Sequence, residues 1–271
     1  MDYLTIHGAR VPVVGLGTWQ LEGEDCVRGV AHALEVGYRH LDTAQAYENE
    51  TDVGAGIRAS GVDRSEVFLT TKFHRAHCKY DAVFAAADDS LARLDTDYID
   101  LLLIHWPNES VPIAETVGAM YELQQQGKIR HVGLSNFTTR LVSEAARHAP
   151  IFAVQVEFHP YLAQTKLLAQ AKAMGYMLTA YSPTALGKVV SDPLLIEIGE
   201  AHGKSPVQVT LRWAIQHQSV AVIPKASSDA HRIANLDVFD FELTVEQMAA
   251  ISRLDRRERI FDHDISPEWD D

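Results

Sequence analysis

Short apolar segments alternate with longer amphipathic segments along most of this chain. The amphipathic segments repeat with the 3.6-residue period of helices; Val83, Phe84, Ala87, Leu91 and Leu94, for example, share one face. The short apolar and β-branched segments are predicted as strands at 13–16, 40–42, 67–71, 99–104, 131–134, 153–156, 177–180 and 221–223. The predicted helices cover 25–36, 49–60, 80–94, 114–127, 138–147, 164–174, 192–216 and 229–236.

This alternation predicts an α/β fold. Strands that are short and apolar throughout are typical of parallel strands covered by helices. Eight strand–helix units within about 240 residues favour a closed (β/α)8 TIM barrel over an open doubly wound sheet. Residues 2–11 alternate around His7-Gly8 and predict an N-terminal β-hairpin beneath the barrel floor. Thr244 and Gln247 form a capping-box pattern that opens an extra C-terminal helix, and 256–271 reads as an irregular tail.

Composition narrows the class of protein. The 271 residues are 46% hydrophobic, enough to bury one large core, and no linker or composition break interrupts them, so a single domain over 1–271 is predicted. The net charge of −13 disfavours nucleic acid and anionic membranes as partners. The start has no signal-peptide pattern, the apolar run 99–104 is too short to span a membrane, and two cysteines make no disulfide framework. We expect a cytoplasmic monomer that acts on a small molecule.

Polar side chains lie at the ends of six successive predicted strands. The carboxyl ends of barrel strands meet at one face, where barrel enzymes carry their active sites. Packing alone does not explain polar residues at so many equivalent positions. They are Asp42, Lys72, His105, Asn136, Gln155 and Tyr181.

The segments around these residues resemble a known family. HLDTAQAYENE (40–50), LTTKF (69–73), IHWP (104–107), GLSNF (133–137), QVEFHP (155–160) and VIPK (222–225) occur in this order, followed by NLDVFDFEL at 235–243. Together they resemble the aldo-keto reductase superfamily, in particular its bacterial 2,5-diketo-D-gluconate reductase-like branch. The resemblance covers nearly the whole chain and implies reduction of a carbonyl group with a nicotinamide cofactor.

The resemblance implies a catalytic tetrad of Asp42, Tyr47, Lys72 and His105. When hydride from C4 of the nicotinamide attacks a carbonyl carbon, the carbonyl oxygen must receive a proton. In this interpretation Tyr47 donates that proton, and the positive charge of Lys72 lowers the pKa of the phenol. Asp42 holds Lys72, and His105 hydrogen-bonds the carbonyl oxygen.

Each of these residues has a plainer interpretation when taken alone. Asp42 could be a helix cap, Tyr47 a half-buried surface aromatic, and His105 a core histidine. Lys72 is harder to explain, because lysine is rarely buried without a partner. Two other functions also stay open: a nicotinamide-binding sensor or scaffold without catalysis, and a barrel isomerase or aldolase that uses Lys72 as a Schiff base.

The resemblance also implies the cofactor site. Ser135, Asn136 and Gln155 would bind the carboxamide, and Tyr181 would stack on the nicotinamide ring. The remaining residues would hold the rest of the cofactor: Ser182, Lys225, Ser227, His231, Arg232 and Asn235.

The phosphate end departs from the family pattern. Relatives that prefer NADP(H) usually have Ser after Ile-Pro-Lys and Arg four residues before the Asn of the closing motif. This chain has Ala226 and His231 at those places, with Arg232 one residue later and Asp229 adding negative charge. We expect NADP(H) as the cofactor, with weakened discrimination against NAD(H).

Trp19, His74 and Trp106 are predicted to line the substrate pocket. Many relatives have Trp at the position of His74, so an imidazole there makes the pocket smaller and more polar, although His74 could equally be a solvent-exposed loop residue. The pair His74 and His77 lacks the Cys or clustered carboxylates of a metal site, and no metal is expected. The short stretch 108–112 indicates a reduced lid, which favours small aldehydes, dicarbonyls or keto-sugars.

One motif points elsewhere. Residues 54–59 match the GxGxxG/A pattern of dinucleotide-binding proteins, but the preceding segment is helical and polar, whereas that fingerprint needs a strand. We interpret Gly54 and Gly56 as sites of close helix packing.

Overall fold

A computed structural model describes residues 2–270, so the two ends of the predicted 1–271 range, Met1 and Asp271, lie outside it. It contains two sheets. As predicted, an antiparallel hairpin pairs β1 with β2 through a His7-Gly8 turn, and both turn residues have positive φ. The strands are β1 Tyr3–Ile6, β2 Ala9–Pro12, β3 Leu16–Gly17, β4 His40–Asp42, β5 Phe68–Phe73, β6 Ile99–Ile104, β7 Ile129–Ser135, β8 Ile151–Glu157, β9 Met177–Tyr181 and β10 Val220–Val222.

The larger sheet is a closed parallel barrel. Strands β3 to β10 pair in sequence order, and each pair of neighbouring strands is parallel. The seam between first and last strands is joined by parallel bridges from Val14 to Val222 and from Gly17 to Lys225. A Cβ at Gly17 would lie 2.6 Å from the Ile223 carbonyl oxygen, so the seam requires a glycine there. The predicted (β/α)8 barrel with its hairpin is confirmed.

Ten α-helices accompany the strands among the described residues. They are α1 Gly23–Glu35, α2 Glu50–Ser60, α3 Tyr80–Leu94, α4 Ile113–Gln125, α5 Thr139–Ala145, α6 Thr165–Met174, α7 Pro193–His202, α8 Pro206–Gln216, α9 Asp229–Leu236 and α10 Val245–Ser252. Helix α10 begins with the predicted capping box, in which the Thr244 side chain and Gln247 bond each other's backbone N–H. None of these helices is long and apolar enough to cross a membrane.

One helix prediction was wrong. The sequence predicts a single helical stretch over 192–216, but the structure has two helices, α7 and α8. Gly203 ends α7 in the left-handed conformation with φ of +67°. Ser205 and Gln208 then form a capping box, with Pro206 in the first turn of α8. These stop and start signals are present in the sequence, and the continuous apolar period obscured them.

The inside of the barrel divides into an apolar floor and a polar mouth. On the floor a small core cluster packs the hairpin against the strands: Ile6, Val11, Phe68, Leu101, Leu103, Phe152, Ala153, Met177 and Ala221. The larger core lies between strands and helices. Gly54 and Gly56 belong to that helix packing, because a Cβ would lie 2.3 Å from the Leu94 carbonyl oxygen and 2.6 Å from Val30 Cβ respectively. Close packing explains the glycine motif, as predicted.

The C-terminal tail crosses the barrel mouth. Residues 256–270 have neither helix nor strand, yet several of their groups bond to the barrel. The backbone N–H groups of Arg256 and Glu258 donate to the Tyr161 carbonyl, and Asp270 accepts from the Thr139 backbone N–H at 3.1 Å. The tail is therefore tied down on both sides of the segment that carries Phe261 and His263.

Candidate active site

A buried ion pair lies at the centre of the barrel mouth. Lys72 in β5 donates from Nζ to Asp42 Oδ1 at 2.5 Å and to the Thr43 carbonyl at 2.7 Å, and both charged side chains are almost fully buried. The same Nζ lies 3.3 Å from Tyr47 Oη. The other Asp42 oxygen, Oδ2, accepts a bond from Gln155 Nε2 at 2.6 Å. The structure thus brings four of the predicted residues into one hydrogen-bonded group.

The segment after β4 places Tyr47 over this pair. Tyr47 ends a short 3-10 helix, and Glu48 then turns the chain with φ of +56°. Gln45 Nε2 bonds the Ala86 carbonyl at 2.8 Å, and Asn49 Nδ2 bonds the carbonyls of Thr18 and Leu21 at 2.8 Å. These anchors fix the segment on both sides of the tyrosine.

His105 lies beside Tyr47, directly after β6. Their rings pack edge to face with centroids 5.8 Å apart. Burial, together with the positive charge of Lys72, lowers the pKa of His105 to about 3. The imidazole is therefore neutral at physiological pH and can hydrogen-bond an oxygen without adding a second positive charge.

The pKa values of Tyr47 and Lys72 are set by opposing effects. Burial raises the pKa of Tyr47; the charge of Lys72 opposes that rise but does not overcome it. The sequence-based expectation that Lys72 lowers this pKa holds for the direction of its contribution and not for the net value. For Lys72, burial favours a lower pKa, but Asp42 and Tyr47 outweigh it and the net pKa is raised. Lys72 therefore stays protonated.

A second polar group adjoins the tetrad. Asn136 Nδ2 donates to the His105 carbonyl at 3.0 Å and to Ser135 Oγ at 3.2 Å, and Tyr181 Oη donates to Asn136 Oδ1 at 2.8 Å. Asn136 has φ of +63° and Ser182 has φ of +47°, left-handed conformations that are concentrated at functional sites. The residues predicted to bind the nicotinamide end are thus held together.

A cavity of about 740 Å³ connects these groups. Trp19 and Trp106 line it, as do Tyr47 and His105. The other lining residues are Gly17, Gln20, Asp42, Ala46, Ser135, Asn136, Gln155, Tyr181, Ser182, Pro183, Thr184, Leu186, Ile223, Pro224, Lys225, Phe261 and His263. Lys72 lies beneath Tyr47 and Asp42. The volume of this cavity falls in the range of small-molecule binding sites.

His74 is not among the lining residues. Its side chain is exposed, and its Nδ1 accepts a hydrogen bond from the Ala76 backbone N–H at 3.2 Å, which caps the short 3-10 helix that follows. This places His74 in the exposed-loop alternative of the sequence analysis. Among residues 2–270 there is also no group of three His, Cys, Asp or Glu side chains that could hold a metal ion.

The predicted phosphate-binding residues are less close to the cavity. Lys225 reaches the cavity edge, where its Nζ bonds Gln20 Oε1 at 3.2 Å. Ser227, His231, Arg232 and Asn235 lie beyond the lining, on and before α9. Ser227 and His231 are exposed, whereas Arg232 and Asn235 are buried.

Arg232 is engaged within the protein. Its Nη1 donates to the Ala226 carbonyl at 2.9 Å, its Nε to His32 Nδ1 at 3.2 Å, and its Nη2 to the Asp229 carboxylate. A phosphate group would have to compete with these three partners.

The C-terminal tail contributes cavity residues that were not predicted from the sequence. Phe261 packs edge to face against both Trp19 and Tyr181, with ring centroids 5.8 and 5.5 Å apart. The His263 ring packs edge to face against Trp106, with ring centroids 5.7 Å apart. The short stretch 108–112 predicted a reduced lid, whereas in the structure the C-terminal tail supplies part of the pocket wall. Aromatic residues in an otherwise polar tail were the available signal.

Comparison with known proteins identifies the family. The sequence profile described as the Aldo/keto reductase family matches residues 13–256. The chain therefore belongs to the aldo/keto reductases, oxidoreductases that act on carbonyl groups and generally use a nicotinamide cofactor.

Relatives with similar sequences match over almost their whole length. The chain is 41% identical to the glyoxal reductase of Bacillus subtilis, covering 96% of this chain and 95% of the relative. It is 39% identical to a methylglyoxal reductase of Yersinia pestis, covering 96% and 99%. A crystal structure described as a 2,5-diketo-D-gluconic acid reductase B superimposes with a TM-score of 0.98 at 48% identity, covering 100% of this chain and 98% of that one. The similarity to the diketogluconate reductase-like branch is thereby confirmed.

The opposing charges around Tyr47 lead to a first prediction. Replacing Lys72 with Met should raise the pKa of Tyr47 further, because the ammonium lowers it, and Asp42→Asn should lower that pKa, because the carboxylate raises it. NMR titration of ¹³C-labelled tyrosine would measure both shifts, with circular dichroism checking the fold. Shifts in the same direction for the two variants would contradict this electrostatic arrangement.

Proposed function

We propose that the protein reduces small aldehydes, dicarbonyls or keto-sugars to alcohols with NADPH, and that Tyr47 donates the proton. The observation that carries the proposal is the contact of Tyr47 Oη with Lys72 Nζ, 3.3 Å apart, at the base of a cavity also lined by His105. A nicotinamide cofactor, when bound, supplies the hydride. The chain itself must then orient the carbonyl and provide a proton.

The positions of Tyr47, Lys72 and His105 support a specific path for the proton. Hydride addition breaks the carbonyl π bond and leaves an electron pair on the oxygen, which takes the Tyr47 proton. An alkoxide is a far stronger base than a phenolate, so a phenol with a raised pKa still protonates it. The Lys72 ammonium stabilises the phenolate until solvent returns the proton. Neutral His105 can donate a hydrogen bond to the carbonyl oxygen and orient it.

The residues near the tetrad fit the nicotinamide end of the cofactor. Asn136, Ser135 and Gln155 offer amide and hydroxyl groups of the kind that pair with a carboxamide, and the ring of Tyr181 adjoins them. Gln155 Nε2 bonds Asp42, so its Oε1 remains the group that would face the ligand. Ser182 and Lys225 line the same cavity further out and would hold the rest of the cofactor.

The proton-donor role is tested by Tyr47→Phe. Removing the hydroxyl leaves the developing alkoxide without its proton donor, so kcat for glyoxal or methylglyoxal should fall by at least about a hundredfold. NADPH oxidation is followed by the loss of nicotinamide absorbance.

Tyr98→Phe is the matched control, because Tyr98 is also half-buried but its hydroxyl bonds the Arg64 carbonyl, away from the cavity. That variant should keep parental activity. Unchanged activity in Tyr47→Phe would refute the proton-donor role, and a parent inactive with every carbonyl tested would favour the sensor alternative.

The cavity supports small substrates. Its roughly 740 Å³ must hold the nicotinamide end as well as the substrate, and Trp19, Trp106, Phe261 and His263 occupy the outer side. Trp269 of the tail packs against Trp106, with ring centroids 6.3 Å apart. A multi-ring ketone would have to fit between these aromatic side chains.

We therefore expect kcat/KM for methylglyoxal to exceed that for a steroid ketone by more than about tenfold, because the aromatic side chains would hinder binding of the larger ketone. A panel of carbonyl compounds, each assayed with both cofactors, measures this. Faster turnover of steroid ketones would overturn the small-substrate proposal.

The phosphate end supports relaxed cofactor preference. A 2′-phosphate is best held by a bidentate arginine, and the Arg232 guanidinium is bound to Ala226, His32 and Asp229. Lys225 and exposed His231 offer weaker contacts.

We expect kcat/KM for NADPH to exceed that for NADH by less than about a thousandfold, because the bidentate contact is missing. His231→Arg places arginine four residues before Asn235 and should raise the NADPH/NADH ratio by about tenfold. Ala230→Arg, which adds the same charge one exposed position earlier on α9, should change the ratio much less. A parental preference above a thousandfold would be incompatible with the proposal.

A further inference from the structure

A fully buried carboxylate at the end of β8 holds the tail segment that walls the cavity. Glu157 Oε1 accepts from the Ile260 backbone N–H at 2.8 Å, and Oε2 accepts from the Phe261 backbone N–H at 2.9 Å. Oε1 also bonds His159 Nε2 at 2.9 Å, and the His159 ring is itself fully buried. A buried carboxylate is costly unless its oxygens are bonded, so these bonds are strong constraints on the tail.

The two anchored amides precede the cavity-lining side chains. The Phe261 amide belongs to the residue whose ring contacts Trp19 and Tyr181. His263, two residues later, contacts Trp106. Fixing the backbone at 260 and 261 therefore fixes the place from which the tail reaches into the cavity.

Glu157 is also tied to the proposed cofactor side of the site. It lies two residues after Gln155 in the same strand and pairs in register with Tyr181 of β9. One carboxylate thus links the strand that carries Gln155 with the tail residue that packs on Tyr181.

We propose that Glu157 is a positioning residue that sets substrate binding by holding Phe261 and His263 at the cavity wall. This inference rests on the proposed carbonyl reduction. Glu157 acts through the tail backbone, and it takes no part in the proton transfer by Tyr47. Its loss should loosen the wall without removing the tail, because Tyr161 and Thr139 bond the tail on either side.

The test is Glu157→Gln, which keeps the size but replaces one acceptor with an NH₂ group that opposes a backbone N–H. KM for methylglyoxal should rise by about tenfold while kcat changes by less than about threefold, since the wall contributes to binding and not to the chemical step. Hydrogen exchange of the Ile260 and Phe261 amides should accelerate by at least about tenfold relative to amides of β5.

Asp100→Asn is the matched control for lost stability. Asp100 is likewise a buried carboxylate, bonded to the Leu69 backbone N–H at 3.0 Å and Arg64 at 2.9 Å, but it lies at the opposite end of its barrel strand. This variant should lower the melting temperature and leave KM unchanged. An equal rise in KM for Asp100→Asn would show general destabilisation and overturn the proposal.

A double-mutant cycle tests whether Glu157 works through the tail side chains. In a Phe261→Ala/His263→Ala background, Glu157→Gln should raise KM by less than about twofold, because the groups it positions are gone. The same tenfold rise in both backgrounds would overturn the proposal. If Glu157→Gln does not fold, Glu157→Asp, whose shorter side chain draws the carboxylate away from both tail amides, takes its place with the same expected split between KM and kcat.

Failure of this inference is distinguishable from failure of the proposed function. A parent that reduces no carbonyl would refute the proposed function, and the exchange rates of the two tail amides would still decide whether Glu157 holds the tail. A parent that reduces methylglyoxal, with KM and tail exchange both unchanged in Glu157→Gln, would refute the positioning role alone.

Discussion

The buried pair of Lys72 and Asp42 is the interaction on which the rest of the site depends. Removing one partner of a buried ion pair typically costs about 3–5 kcal/mol, a large part of a domain's stability of about 5–15 kcal/mol, so each member depends on the other. The remaining bonding capacity of the pair is also used: Asp42 accepts from Gln155, and Lys72 donates to the Thr43 carbonyl and contacts Tyr47. The pair therefore fixes one side chain from each of three strands and the loop that carries the tyrosine.

The same burial sets the protonation states around the pair. Low polarity raises the pKa of Tyr47 and, with the charge of Lys72, lowers the pKa of His105 to about 3. One cation, one anion and two neutral hydrogen-bonding rings then remain at neutral pH. This set would suit the proposed proton transfer, because no second positive charge competes with Lys72 and no second anion would repel a negative oxygen.

The barrel fold and the polar residues at its mouth could be predicted from the sequence, because both depend on local patterns. A strand end follows from a short apolar run, and parallel closure brings all strand ends to one face, so Asp42, Lys72 and Gln155 could be grouped without coordinates. The tail could not be placed, because 256–270 has no periodic pattern and its course depends on distant partners such as Glu157 and Trp106. For His74 the sequence left a pocket residue and an exposed-loop residue equally open, because the capping bond that its imidazole accepts from Ala76 depends on the local backbone geometry.

These observations divide the site into parts with different constraints. The reacting end is built from barrel strands and a buried ion pair, so most substitutions there would leave a charge unpaired. The substrate wall is built from the tail, and the phosphate end from the loop and helix after the last strand, where exposed residues such as His231 can change at little cost to stability. Arg232 shows the same separation, because its bonds to Asp229 and the Ala226 carbonyl hold it within the loop, whereas neighbouring positions are exposed. Under the proposed function, cofactor and substrate preference could therefore vary in this chain while Tyr47 remained the proton donor.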